Sequence, residues 1–114
     1  LVQDLSQRGM LDRTLVLCMG EFGRTPAINA NDGRDHYPDA FACAIAGGGI
    51  RGGRVYGETN DDGNQIISNP VTPGNLFATL SHQLGIDYNK VIHSPQGRPL
   101  KYVNEGSVIE ELVS

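Results

Sequence analysis

The apolar segment TLVLCM (Thr14–Met19) runs directly into the polar segment GEFGRTPAINANDGRDHYP (Gly20–Pro38). The first segment is a run of β-forming residues, which is typical of a strand that is covered on both faces. The second segment has no apolar periodicity and predicts a loop. Because a loop of this length is unusual inside a compact domain unless it is functional, we interpret it as the rim of a site.

The segments on either side of this strand indicate the α/β class. Residues 1–8 carry apolar side chains at helical spacing, and Gly9 follows as a stop signal. After the polar loop, AFACAIAGGGI (Ala40–Ile50) predicts a second buried strand. A helix that leads into a strand buried on both faces favours an α/β fold.

The second half of the chain predicts a hairpin and a well-delimited helix. Residues 51–67 predict two extended pieces joined by the turn DDGN. The helix spans TPGNLFATLSHQLG, with Thr72 as its N-cap, Pro73 at its first position and Gly85 just past its end. A short terminal helix is expected near Val108–Val113.

Length, composition and charge argue against a two-domain protein, a nonspecific nucleic-acid-binding protein and a membrane-spanning protein. The length of 114 residues allows one ordinary domain but not two. The formal net charge of −4 argues against nonspecific nucleic-acid binding. The apolar runs are far shorter than a membrane span. Since the chain starts at Leu1 inside a helix, we expect a piece of a longer protein.

The two cysteines are expected to be structural. Cys18 and Cys43 each lie in an apolar run, where a cysteine usually behaves as a small buried hydrophobic residue. A disulfide between neighbouring strands is possible in principle, but nothing in the sequence supports it. The chain contains no CxxC pair, so a structural zinc ribbon is excluded.

Four charged side chains in the polar loop are candidates for chemistry. Glu21 follows the end of the first strand, where it could hold a metal, orient a ligand or act as an acid or base. It could equally be solvated or paired with Arg24. Arg24 and Arg34 present planar donors suited to phosphate or sulfate, although a surface arginine is the commoner case. His36 could ligate a divalent metal, or it could be structural.

The glycine-rich segment AGGGIRGG (residues 46–53) has two explanations. Its successive backbone N–H groups could form an anion-binding nest. The glycines could instead allow tight packing of the strand, and the segment matches neither of the common nucleotide-binding glycine patterns. No serine lies in a nucleophile motif, so no nucleophile is assigned in this chain.

Several motifs in order resemble a known family. They are TLVLCMGEFGRTP, GRDHYP, AIAGGGIRGGRVYG, TPGNLFATLSHQLG and SPQGRPL. Together they resemble the C-terminal part of domain-of-unknown-function family 1501, sulfatase-like proteins of the alkaline phosphatase superfamily. The resemblance covers essentially the whole chain. It implies that residues 1–114 are one C-terminal piece of a three-layer α/β sandwich with a mostly parallel sheet.

The resemblance implies a metal-dependent hydrolase of sulfate or phosphate esters, with its nucleophile outside this chain. Glu21 and His36 would ligate a divalent metal ion, namely Zn, Ca, Mg or Mn. Arg24 and Arg34 would act as catalytic groups that stabilise charge, and Asp35 would contact the substrate. The substrate would be an anionic small molecule or a glycan ester, and the protein would be periplasmic or secreted.

One departure from the superfamily pattern supports a second hypothesis. Phe22 stands where the superfamily has a histidine ligand, and phenylalanine cannot replace that ligand. A catalytically degenerate protein that binds anionic glycans or a partner is therefore the alternative. Under either hypothesis the strands would expose apolar edges in isolation, so we expect the chain to need its missing N-terminal portion or another chain.

Overall fold

The computed structural model describes residues 1–113 and contains two helices, two 3-10 turns and eight short strands. The helices are α1 (Val2–Gln7) and α2 (Pro73–Gln83), and the 3-10 turns lie at Leu11–Arg13 and Glu110–Leu112. The strands are β1 (Val16–Met19), β2 (Gly23–Arg24), β3 (His36–Tyr37), β4 (Cys43–Ala46), β5 (Glu58–Thr59), β6 (Ile66–Ser68), β7 (Val91–His93) and β8 (Pro99–Lys101). Within residues 1–113, no helix is long and apolar enough to cross a membrane.

The strands form four separate pairs, and the expected three-layer sandwich with a mostly parallel sheet is wrong. The pairs are β1–β4, β2–β3, β5–β6 and β7–β8, and the described chain has no sheet of more than two strands. The last three pairs are antiparallel. Parallel strands need crossovers of about a dozen or more residues, usually with a helix. Residues 60–65 and 94–98 instead join their strands directly, and such short connections produce hairpins.

The expected burial of β1 and β4 on both faces is also wrong. The side chains of Cys18 and Met19 on β1 are exposed, and so are those of Cys43 and Ala44 on β4. A strand is buried on both faces only when other elements cover it, and a two-stranded pair leaves its faces open. The two cysteines are consequently exposed free thiols rather than buried ones.

By its contacts the chain divides into two compact units. The first comprises Leu1–Leu15, Ala46–Arg54 and the chain from Val71 onward, and the second comprises Val16–Ile45 and Val55–Pro70. Most of the buried side chains belong to the first unit; they are Leu76, Ala78, Thr79, Val103, Ile109 and Val113. In the second unit, Ala40 is the buried apolar side chain among the described residues.

Local capping explains where α2 begins and ends, as predicted. Thr72 Oγ1 accepts a hydrogen bond from the Asn75 backbone N–H at 3.1 Å, and Asn75 Oδ1 accepts one from the Thr72 N–H at 3.2 Å. This reciprocal capping box satisfies donors that the first turn leaves free. Pro73 lies in the first turn of the helix. Gly85 lies just past the end of the helix and has a φ of +70°.

Helix α2 is tied to the C-terminal segment by the hydroxyl of Thr79. Thr79 Oγ1 donates to the Asn75 carbonyl at 2.7 Å and accepts from the Ile109 N–H at 3.0 Å. The backbones also approach closely nearby, because a Cβ added at Gly74 would lie 1.6 Å from the carbonyl oxygen of Glu105. Glycine is therefore required at position 74 for this contact.

Packing accounts for Gly47 and Gly48 in the glycine-rich segment 46–53. A Cβ at Gly47 would lie 2.2 Å from the Thr14 carbonyl oxygen, and one at Gly48 would lie 2.6 Å from Cγ of Leu15. Both glycines have positive φ, and the Gly48 N–H donates to the Leu11 carbonyl at 3.0 Å. The structure thus favours tight packing over an anion nest.

In the second unit, the predicted hairpin is confirmed. Strands β5 and β6 are antiparallel, and Asn60 Oδ1 accepts hydrogen bonds from the N–H groups of Asn64 and Gln65 across the turn. The Tyr37 hydroxyl donates to the Asn64 carbonyl at 2.6 Å, which connects this hairpin to β3. This contact anchors one side of the polar segment 20–38.

Candidate functional site

The polar segment 20–38 is not wholly a loop, because it folds back on itself through the β2–β3 ladder. In this ladder Gly23 pairs with Tyr37, and Arg24 pairs with His36. A Cβ at Gly23 would lie 2.4 Å from the Ala40 carbonyl oxygen, so the ladder packs against the following chain without room for a side chain. The ladder brings the ends of the segment together and defines the candidate site.

Arg24 and His36 lie directly opposite each other in this ladder, and both are exposed. Directly opposite residues of an antiparallel pair have Cβ atoms about 4.5–5.5 Å apart and lie on the same face. A guanidinium and an imidazole are therefore presented side by side to solvent. Both groups can donate hydrogen bonds to an anion.

The half-buried ring of Phe22 supports both groups. The rings of Phe22 and His36 are stacked with their centroids 3.7 Å apart and their planes at 27°. The guanidinium carbon of Arg24 lies 5.2 Å from the Phe22 centroid, within cation–π range. Stacking occupies one face of the imidazole but not its in-plane nitrogens. Phe22 thus orients His36 instead of ligating a metal as a histidine would.

Arg34 directs its side chain into the loop. Its Nη1 donates to the backbone carbonyl of Thr25 at 2.8 Å and also contacts the carbonyl of Pro26. In return, Nη1 of Arg24 donates to the backbone carbonyl of Arg34 at 3.2 Å. The two arginines therefore differ in role: one lies opposite His36 on the exposed ladder, and the other ties the two sides of the loop.

Asp35 is likewise part of the loop framework. Its Oδ1 accepts a hydrogen bond from Nδ2 of Asn29 at 2.8 Å. Its backbone N–H donates to Oγ1 of Thr25, and its carbonyl accepts from the Thr25 N–H. The carboxylate of Asp35 thus has an intramolecular partner in the loop.

Glu21 is exposed and takes part in none of these contacts. Within residues 1–113 its carboxylate makes no hydrogen bond or ion pair, so the pairing with Arg24 considered above is not formed. The described residues also contain no group of three or more His, Cys, Asp or Glu side chains that could hold a metal ion. Glu21 and His36 alone therefore do not supply a complete donor set for the expected divalent metal.

Sequence reasoning missed two parts of this site. The stacking of Phe22 on His36 carries no sequence signal, since it depends on the ladder that brings them together. The role of Asn29 could have been found, because the run Asn29–Gly33 (NANDG) is rich in the asparagine, aspartate and glycine residues that are typical of side-chain-stabilised turns. Its Oδ1 accepts from the N–H groups of Asn31 and Gly33 at 2.9 and 3.1 Å.

Taken together, the fold and the site define a small chain of two helices and short strand pairs, with an exposed cationic and aromatic site on one of these pairs. Residues 1–113 match the family described as "Protein of unknown function (DUF1501)", and the chain belongs to this family. The resemblance of the motifs to domain-of-unknown-function family 1501 is thereby confirmed. No curated protein and no solved structure matches the chain.

Proposed function

We propose that this chain binds the anionic group of a sulfate or phosphate ester, small or carried on a glycan, as part of a sulfatase-like protein of the alkaline phosphatase superfamily. The observation that carries the proposal is the exposed pair formed by Arg24 and His36 across the β2–β3 ladder. Arg24 brings a permanent positive charge, and His36 brings a ring N–H. The two donors converge on one face.

The chemistry of the donors suits a tetrahedral anion. A guanidinium has five N–H groups, and Nη1 of Arg24 already donates to the Arg34 carbonyl. The remaining donors include an edge that can engage two oxygens of a sulfate or phosphate group. The Phe22 ring beneath Arg24 restricts the motion of the guanidinium, which lowers the entropic cost of holding the anion.

Titration with inorganic sulfate and phosphate, followed by NMR at constant ionic strength, tests this proposal. We expect Arg24→Gln and His36→Ala each to weaken binding, the former by about tenfold or more because a charge-assisted hydrogen bond is lost. Arg54→Gln is the matched control, since Arg54 is exposed and its side chain makes no hydrogen bond among the described residues. Equal affinity of the Arg24→Gln variant and the wild type would contradict the proposal.

Metal-dependent hydrolysis of the same esters is the second candidate function. The observation that favours it is the exposed carboxylate of Glu21, which lacks a partner within residues 1–113 and follows β1. Together with the imidazole of His36 it offers two groups of the kind that bind divalent ions. Catalysis would need further ligands and a nucleophile that the described residues do not supply.

Metal analysis separates the two candidates. A hydrolase of this kind would purify with stoichiometric Zn, Ca, Mg or Mn that is lost in the His36→Ala variant. A metal-free wild-type protein that still binds sulfate would contradict hydrolysis and leave anion binding intact. Export to the periplasm or the medium belongs to the same proposal, and fractionation of cells expressing the protein tests it.

A further inference from the structure

We infer that Arg34 is a positioning residue that sets the direction of Arg24. The inference rests on the proposed function, in which Arg24 is the ligand-binding arginine. It assigns different roles to two arginines that are equivalent candidates in the sequence: Arg24 binds the ligand, and Arg34 positions Arg24. The two guanidinium groups differ in where they donate their hydrogen bonds.

The side chain of Arg34 reaches across the loop to the chain just after β2. Its Nη1 is shared between the carbonyls of Thr25 and Pro26, which directly follow Arg24. The backbone around Arg24 is thereby held to the backbone around Arg34.

The return contact fixes the side chain of Arg24. Its Nη1 donates to the Arg34 carbonyl at 3.2 Å, while its guanidinium carbon lies 5.2 Å from the Phe22 centroid. Two different contacts therefore define the orientation of one planar group. Without the Arg34 side chain, the peptide that carries this carbonyl keeps only the hydrogen bond from the Asp35 N–H to Thr25 Oγ1, so the acceptor of Arg24 is held less firmly.

The rest of the loop framework remains when Arg34 is altered. The mutual bonds between Thr25 and Asp35, and those from Asn29 to the turn, do not involve the Arg34 side chain. The ladder and the stacking of Phe22 on His36 are likewise independent of it. A change at Arg34 is therefore expected to affect Arg24 while His36 keeps its environment.

The test uses Arg34→Lys and Arg34→Gln, with Arg54→Lys and Arg54→Gln as controls. Lysine keeps the charge of Arg34 but is a single ammonium group in place of a planar fork. The first readout is made without ligand: the upfield ring-current shift of the Arg24 side-chain protons over Phe22. Loss of this shift in Phe22→Leu establishes its origin. The second readout is the affinity for inorganic sulfate.

We expect both Arg34 variants to reduce the Arg24 ring-current shift and to keep the shifts of the stacked His36 ring. We expect them to bind sulfate about tenfold more weakly, as for one misaligned charge-assisted hydrogen bond. Full sulfate affinity in Arg34→Lys together with a loss in Arg34→Gln would overturn the inference, since charge at Arg34 would then be what matters. An unchanged Arg24 shift in both variants would also overturn it. So would simultaneous loss of the His36 shifts, which would show that Arg34 supports the whole loop.

Failure of the proposed function gives a different result. If the wild-type protein does not bind sulfate, anion binding is refuted. The ring-current shift of Arg24, measured without ligand, still decides whether Arg34 positions it.

Discussion

The hydroxyl of Thr79 provides the sharpest test of how the first unit is held together. Thr79 is only 1% exposed, and its Oγ1 accepts the Ile109 N–H at 3.0 Å. Thr79→Val keeps the shape of the side chain, so it creates no cavity, but it removes this acceptor. Ile109 is itself buried, so its N–H would be left without a partner. We expect a loss of about 1–3 kcal/mol in the free energy of unfolding, the cost of an unsatisfied buried donor.

Two further variants separate the hydrogen bond from packing. Thr79→Ser keeps the hydroxyl and loses one buried methyl group, which costs about 1 kcal/mol. Thr59→Val makes the same chemical change on the exposed strand β5 and should stay within about 0.5 kcal/mol of the wild type. Urea unfolding measures the free energies of all three variants.

Amide hydrogen exchange at Ile109 gives the specific readout. In Thr79→Val this amide should exchange faster by roughly tenfold for each 1.4 kcal/mol lost, whereas Thr79→Ser should retain more of its protection. A Thr79→Val protein with the wild-type unfolding midpoint and a protected Ile109 amide would refute the reasoning. It would show that the hydroxyl does not carry the link between α2 and the C-terminal segment.

Two other predictions follow from close contacts. Gly74→Ala would place a Cβ 1.6 Å from the Glu105 carbonyl oxygen and should cost about 1–3 kcal/mol or more in unfolding free energy, while Gly52→Ala, where no atom lies within 4 Å, should be near neutral. Equal urea midpoints for these two variants would contradict the close approach. Tyr37→Phe removes the hydrogen bond to the Asn64 carbonyl and should cost about 0.5–1.5 kcal/mol, measured in the same way; an unchanged midpoint would mean that this bond does not stabilise the second unit.

Helix α2 and the β5–β6 hairpin could be predicted from sequence because local residues determine them. Thr72 and Asn75 complete a capping box within one turn, and Gly85 supplies the positive φ that ends the helix. Asn60 organises its own turn in the same way. No distant partner is needed for either element, so the pattern along the chain is sufficient.

The layer arrangement could not be predicted because it depends on what covers each strand. The apolar run Thr14–Met19 indicated a strand, and β1 is present, but Cys18 and Met19 are exposed. An apolar run indicates that its side chains favour burial, but it does not indicate whether other helices or strands are present to cover them. The parallel sandwich came from resemblance to the superfamily, whereas the strands of this chain pair two by two.

The candidate site shows the same division. The sequence by itself determined the family, the helix with its caps, and the concentration of Glu21, Arg24, Arg34, Asp35 and His36 in one polar segment. The tertiary structure alone decided their roles, because side-chain roles depend on distances between residues that are apart in the chain. The β2–β3 ladder places Arg24 opposite His36, and Phe22 stacks on the ring of His36. The side chain of Arg34 instead donates to backbone carbonyls of the loop.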